Sequence, residues 1–148
     1  PEYHFINSNK MSVYKDEEKK IKVIAGKFQE TEGAIKDHNV EPVYFDVELQ
    51  KNKEFIFELP PKHNTFIYLI FGEIKIGDKN HNKVKDSTLI LLKKGETLKV
   101  SSIIKSKFLL LSAKPIEEKI ARGGPFVMNT KEEILKAVED YQNGTFVK

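Results

Sequence analysis

Residues 43–49 read VYFDVEL, and this strict alternation constrains the fold more than any other stretch of the chain. Side chains of an extended strand project with a period of two, so Val43, Phe45, Val47 and Leu49 share one face while Asp46 and Glu48 take the other. The pattern recurs in KEFIFEL, where Phe55, Phe57 and Leu59 alternate with Glu54, Ile56 and Glu58. TFIYLIF, residues 65–71, is apolar on both faces and reads as a central strand. Ile74 and Ile76 continue the period up to a turn at Gly77 and Asp78. Three further strands are expected over residues 87–92, 97–100 and 107–112, the middle one preceded by Lys94 and Gly95. Upstream, Ile21 to Ala25 forms a short apolar segment closed by Gly26, and residues 29–42 read as a polar loop containing Gly33. Residues 1–20 read as an entry arm in which Tyr3, Phe5 and Ile6 supply packing surface. Short strands at even spacing with turn signals between them predict an all-β sandwich or barrel. No βαβ alternation and no internal repeat is present.

The period changes only at the end. Thr130 and Glu133 form a T-x-x-E capping box, and Gly144 suits the residue after the C-cap. Between them Ile134, Leu135, Val138 and Tyr141 are read as one apolar stripe, so a helix is expected over about residues 131–142. Just before it stands GGPFVMNT, a glycine pair followed by the compact apolar run Pro125, Phe126, Val127 and Met128.

The 148 residues suit one domain with a single core. There is no cysteine, which excludes disulfides, thiolate zinc sites and cysteine nucleophiles. No apolar run is long enough to span a bilayer as a helix, and the polar N-terminus carries no secretory core. The expected compartment is the cytoplasm. The formal charge is +3, yet among 25 basic residues only Arg122 is an arginine, and the lysines alternate with acids, as in KDEEKK. Bidentate phosphate and guanine contacts favour arginine, so this surface reads as a solvated face and not as a nucleic-acid footprint. The chain begins at Pro1, which fits either removal of an initiator methionine or a piece of a longer protein.

GGPFVMNTKEEILKAVEDYQNGTF resembles the signature that closes proteins of the pirin family. Lys22-Val23-Ile24-Ala25-Gly26 is similar to the opening of the pirin C-terminal domain. Pro42-Val43-Tyr44-Phe45-Asp46-Val47 resembles one of its strands. His63-Asn64-Thr65-Phe66-Ile67-Tyr68, leading to Phe71-Gly72-Glu73, resembles its central hairpin. The resemblance implies a single cupin (jelly-roll) barrel with one C-terminal α-helix. It divides the chain into an entry arm (1–20), a barrel including GPFVMNT (21–129), and a helix and tail (130–148). It also implies what the chain lacks. Pirins are bicupins of about twice this length, with iron held by three histidines and a glutamate in the N-terminal barrel. Some members have been assigned quercetin dioxygenase activity, and a eukaryotic member is a nuclear transcriptional co-regulator.

The cupin ligand spacing is a test that the residues themselves can answer. The first motif places an H-x-H pair and a glutamate ahead of a closing glycine, since alternate positions of a strand reach the same interior point. With Gly72 as that glycine, the glutamate position falls on Thr65, and the histidine positions fall on Pro61 and Leu59, or on Pro60 and Glu58. With Gly95 as the inner glycine of the second motif, the third histidine position is Leu98. None is a ligand. With Gly77 closing the first motif instead, His63 meets the first position, but Thr65 and Ile70 occupy the next two. One imidazole is too few protein ligands for a metal site. His4, His38 and His81 show no ligand spacing. No phosphate loop and no nucleophile elbow is present, and the paired carboxylates Asp46/Glu48 and Glu54/Glu58 read as solvated faces.

Two candidate sites remain. His63, Phe66, Tyr68 and Tyr44 are candidates for lining a barrel pocket, with a small phenolic compound as the conceivable ligand. Pro125, Phe126, Val127 and Met128 are candidates for an interface with an N-terminal pirin barrel or with a second copy of the chain. The expected function is a structural, non-catalytic C-terminal half without a metal of its own, the iron belonging to the absent barrel. The alternatives are part of a quercetin-dioxygenase-like enzyme, either with a degenerate site around His63 or through its parent protein, and a small-molecule-binding regulatory cupin.

Overall fold

A computed structural model describes residues 5–36, 39–78 and 83–147. Tyr3, His4, His38 and His81 lie outside the described residues. The strands are β1 (Ser12–Lys15), β2 (Lys19–Ala25), β3 (Lys27–Phe28), β4 (Thr31–Glu32), β5 (Val43–Leu49), β6 (Glu54–Glu58) and β7 (Asn64–Phe71). They continue as β8 (Glu73–Ile76), β9 (Lys83–Lys85), β10 (Thr88–Leu91), β11 (Thr97–Ser102), β12 (Ser106–Ala113), β13 (Ala121–Gly123) and β14 (Phe126–Met128), before the helix α1 (Lys131–Gln142). Two compact units divide the chain, 1–115 and 116–148.

The first unit is an antiparallel β-sandwich. One sheet has the order β1-β2-β5-β12-β7-β10 and the other β6-β11-β8-β9. Three residue rows cross the middle of the larger sheet on its inner face: Val43–Ser112–Thr65, Phe45–Leu110–Ile67 and Val47–Phe108–Leu69. The smaller sheet meets them with Phe55, Ile74, Leu98 and Val100, and all the apolar members of these sets are buried in one core. Each such side chain contributes about 1.5–3 kcal/mol when withdrawn from water. Phe28, Phe45, Phe55 and Phe57 form an aromatic cluster, with centroids 5.1–6.4 Å apart. The alternation read in VYFDVEL is met at every position, since Val43, Phe45, Val47 and Leu49 are buried and the intervening residues are not.

Two readings change. The entry arm supplies an edge strand, because β1 pairs with β2 from Ser12↔Val23 to Lys15↔Lys20. The stretch 29–42 is not wholly loop: Thr31 and Glu32 form a short hairpin with Lys27 and Phe28, and Ile35 bridges to Ala25 in parallel. The hairpin pairs two residues and the bridge one, too few for any periodicity to register.

In the second unit β13 and β14 pair as a hairpin, and α1 follows with both ends capped. Thr130 Oγ1 accepts from the Glu133 N–H, and the Glu133 carboxylate accepts from the Thr130 N–H, which completes the capping box. Gly144, at φ +71°, turns the chain so that its N–H reaches Tyr141 O while the Thr145 N–H reaches Asp140 O, a Schellman closure. The apolar stripe differs from the expected one, two of whose four residues, Leu135 and Tyr141, are exposed. Ala137 is buried and Ile134 and Val138 are half-buried, whereas Leu135 is exposed. Leu135 lies about 100° round the helix from Ile134, and the small Ala137 takes its place at the contact.

Candidate functional site

Along β7 the inward positions are Thr65, Ile67 and Leu69, and the same phase extended backward selects His63. His63 ends a turn in which its N–H donates to Pro60 O. The residue is 5 % exposed. Ser112 holds the matching position on β12, opposite Thr65. The three polar side chains form a chain: Thr65 Oγ1 lies 2.8 Å from Ser112 Oγ, which lies 3.2 Å from His63 Nδ1. The Lys94 ammonium closes the turn from outside, donating to the carbonyls of Lys62 and His63 and to Asn64 Oδ1.

The other ring nitrogen, Nε2, is buried and has no hydrogen-bond partner among the described residues. It lies 3.9 Å from the Glu41 carboxylate. Burial pushes the imidazole below its ordinary pKa; Glu41 opposes that shift, and Lys94 and Lys114 add to it. His63 is therefore held toward its neutral form. A cavity of about 380 Å³ opens beside it, with Gly26, Gly33, Ile35, Pro42, Val43 and Pro60 among its walls. The wall residue Gly33 lies tight against β2, where a Cβ would come within 2.7 Å of the Ala25 Cα.

Of the four candidate pocket residues, His63 alone lines this cavity. Tyr44, Phe66 and Tyr68 belong to the opposite face of the large sheet. Their neighbours Val43, Phe45, Thr65, Ile67 and Leu69 are the buried ones. The period of two then sends the three aromatic rings outward, where Tyr44–Leu111–Phe66–Leu91 and Leu109–Tyr68–Leu89 form two adjacent apolar rows. Sequence reasoning missed Ser112 and Thr65. The one available signal was a serine at an inward position of the otherwise apolar FLLLSA.

The four candidate interface residues are placed within the second unit. Phe126 is half-buried, its ring 6.0 Å from Tyr141 and 5.2 Å from Phe146, so the segment folds back on its own helix and tail. Pro125 is exposed. Val127 and Met128 border a groove of about 410 Å³ together with Ile116 and Ile120, and Val127, Ile116 and Ile120 are each 60–69 % exposed.

The positions that cupin spacing assigns to metal ligands do not fit a metal. Leu59 and Leu98 are buried in the apolar core, and Thr65 is engaged with Ser112. No three His, Cys, Asp or Glu side chains come together among the described residues.

With the fold and site in view, comparison with known proteins is specific. Residues 44–147 match the model of the Pirin C-terminal cupin domain. The crystal structure of a quercetin 2,3-dioxygenase from Acinetobacter baumannii superposes with a TM-score of 0.86 at 30 % identity, over 98 % of this chain and 50 % of that one. A pirin-like protein of Caulobacter vibrioides is 32 % identical over 127 residues, covering 85 % of this chain and 45 % of its own length. Human pirin is 33 % identical over 104 residues, covering 68 % of this chain and 36 % of its own. The chain thus spans about half the length of the curated relatives it matches. It belongs to the pirin family, as a C-terminal cupin domain.

Proposed function

We propose that this chain is the interaction half of a pirin-type protein, docking on a second, metal-bearing cupin barrel and carrying no metal itself. The observation behind the reading is the outer face of the large sheet. Across β2 and β5 that face is largely charged, with Lys20, Lys22, Asp46 and Glu48, and Lys107 on β12 pairs with Asp46 at 3.2 Å. Across β12, β7 and β10 it turns apolar, through Leu109, Leu111, Phe66, Tyr68, Leu89 and Leu91, of which Leu89 and Leu91 are 56 % and 75 % exposed. A contiguous apolar face bordered by charge is the form of a protein contact surface. The occupant proposed is a cupin barrel, because the matched crystal chain carries as much polypeptide again as the part that superposes. The apolar groove at Ile116, Ile120 and Val127 is a second contact surface of the same kind.

The interior supports the non-catalytic reading in this unit, since the positions where a cupin holds its ions are filled by Leu59 and Leu98. An oxygenase role, as the name of the Acinetobacter relative suggests, then belongs to the assembled protein and rests on the partner barrel. Sedimentation velocity tests the proposal. The chain is mixed with the separately expressed N-terminal half of the Acinetobacter protein, with Tyr68→Lys and Leu91→Lys as variants. The expected result is a heterodimer, or a homodimer when the chain is alone, that both variants abolish. A wild-type chain that stays monomeric under both conditions refutes the reading.

A further inference from the structure

We infer that the cavity beside His63 is a binding site for a small uncharged ligand that carries one hydroxyl on an apolar body, such as a single-ring alcohol or phenol. The inference is independent of the docking surface, which lies on the other face of the sheet.

Three observations converge on it. A buried ring nitrogen without a partner costs free energy that native interiors rarely leave uncompensated. His63 Nε2 is such an atom among the described residues, and His63 is one of the residues that line the cavity. The cavity walls combine apolar or bare-backbone residues, Gly26, Gly33, Ile35, Pro42, Val43 and Pro60, with the charged Lys27, Glu32, Lys36 and Glu41. Glu41, whose carboxylate lies nearest to Nε2, holds a left-handed backbone at φ +47°. Residues other than glycine adopt that conformation at a cost, and such strain concentrates at ligand sites.

The chemistry of the ligand follows from the polar chain. When Thr65 donates to Ser112 and Ser112 donates to Nδ1, the imidazole proton sits on Nε2, where it faces the Glu41 carboxylate. A donor and an acceptor then stand 3.9 Å apart. An oxygen at about 2.8 Å from each sees them at roughly 90°, an angle that suits a hydroxyl accepting from one and donating to the other. An anion would meet the Glu41 carboxylate, and a cation would meet the Nε2 proton. Between these two groups an uncharged hydroxyl satisfies both, and the wall lysine Lys36 is already paired with Glu32. A cavity of this size and lining accepts one ring.

The test uses the full chain and three probes: 4-methylphenol, toluene and 4-methylbenzoate. Nitrogen-15 NMR follows the imidazole signals of His63, assigned by their absence in His63→Gln. The expected result is saturable movement of the Nε2 signal with 4-methylphenol, and binding about tenfold weaker for toluene, which has no hydroxyl. 4-Methylbenzoate is expected to bind no better than toluene. Glu41→Ala, a change at an exposed side chain that leaves the core intact, should also weaken 4-methylphenol by about tenfold. Equal binding of toluene and 4-methylphenol overturns the inference. So does 4-methylphenol moving the signals of Tyr68 and Leu89 while His63 stays still, or Glu41→Ala leaving the affinity unchanged.

Discussion

The two ends of the β-sandwich bury polar side chains in contrasting ways. At one end Ser102 and Ser106 are almost wholly enclosed, yet each hydroxyl is committed. Ser102 Oγ takes the Lys53 N–H at 3.0 Å, and Ser106 Oγ donates to Ile104 O at 2.7 Å. The turn between β1 and β2 lies at this end, since the Gln50 N–H reaches Glu18 O. There the Asp16 carboxylate accepts the N–H groups of Glu18 and Lys19, each at 2.8 Å, and the Tyr14 hydroxyl at 2.9 Å. At the other end His63 is nearly as buried, and one of its nitrogens has no hydrogen-bond partner among the described residues. Polar burial at the first end fastens loops. At the second it leaves a valence open beside a cavity. The difference teaches where to look for function in a barrel whose cupin ligand positions are filled.

The largest expected effect comes from cutting the core that joins the ends. Phe108→Ala, removing a fully buried ring packed at 5.7 Å from Phe55, should cost about 3–5 kcal/mol in urea unfolding. Both ends should lose hydrogen-exchange protection together; if one keeps its protection, the ends are not one cooperative unit. Next, Ser102→Ala should cost about 1–3 kcal/mol, because the part-buried Lys53 N–H loses its side-chain acceptor. His63→Leu should do much less, within about 1 kcal/mol of wild type in either direction at pH 8, since it removes an orphaned nitrogen along with one hydrogen bond. A large loss there would assign His63 to stability and not to binding.

Acid separates the ends further. His63 has a lowered pKa in the fold, so the unfolded chain takes up the proton first. Stability therefore falls as pH drops below the ordinary value of 6.5, and the fall ends at the folded pKa. His63→Leu should remove that part of the decline in thermal melts. Asp16 loses its contribution in the same direction, on acidification, but in a lower pH window. Its burial raises the carboxyl pKa, but the bonds from Glu18, Lys19 and Tyr14 outweigh that and hold it at about 2, against 3.8 unperturbed. Its contribution is complete above about pH 4 and disappears as pH falls through 2. Asp16→Asn should show the smallest effect of the set, a modest loss at neutral pH that vanishes against wild type near pH 2.

The strands that build the sandwich were legible wherever one face is polar. VYFDVEL and KEFIFEL announce both the strand and its buried side, and the helix ends were fixed by Thr130, Glu133 and Gly144. TFIYLIF was legible as a strand but not in phase, because both its faces are apolar. Its inward side is settled only by pairing with β12, which sets Ile67 and Leu69 against Leu110 and Phe108. Reading Phe66 and Tyr68 into the cavity was the consequence. The Thr65–Ser112–His63 chain joins positions 47 to 49 residues apart, and no local pattern carries such a pairing. GPFVMNT was legible as an element that needs covering, but not as one that α1 and Phe146 partly cover.

The place of β12 bears on how the protein is made. It is the last strand of the sandwich to be synthesised, yet it lies between β5 and β7 and bonds to both along most of its length. While it is still in the ribosome, the large sheet exists only as two separate pieces, β1-β2-β5 and β7-β10. Each has an open edge of apolar residues, Phe45 and Val47 on one and Ile67 and Leu69 on the other. Such edges recruit neighbouring chains as readily as their own missing strand. A message broken before Ser106 thus yields no smaller barrel but a pair of sticky half-sheets, and nascent chains must be kept apart until the final strand emerges.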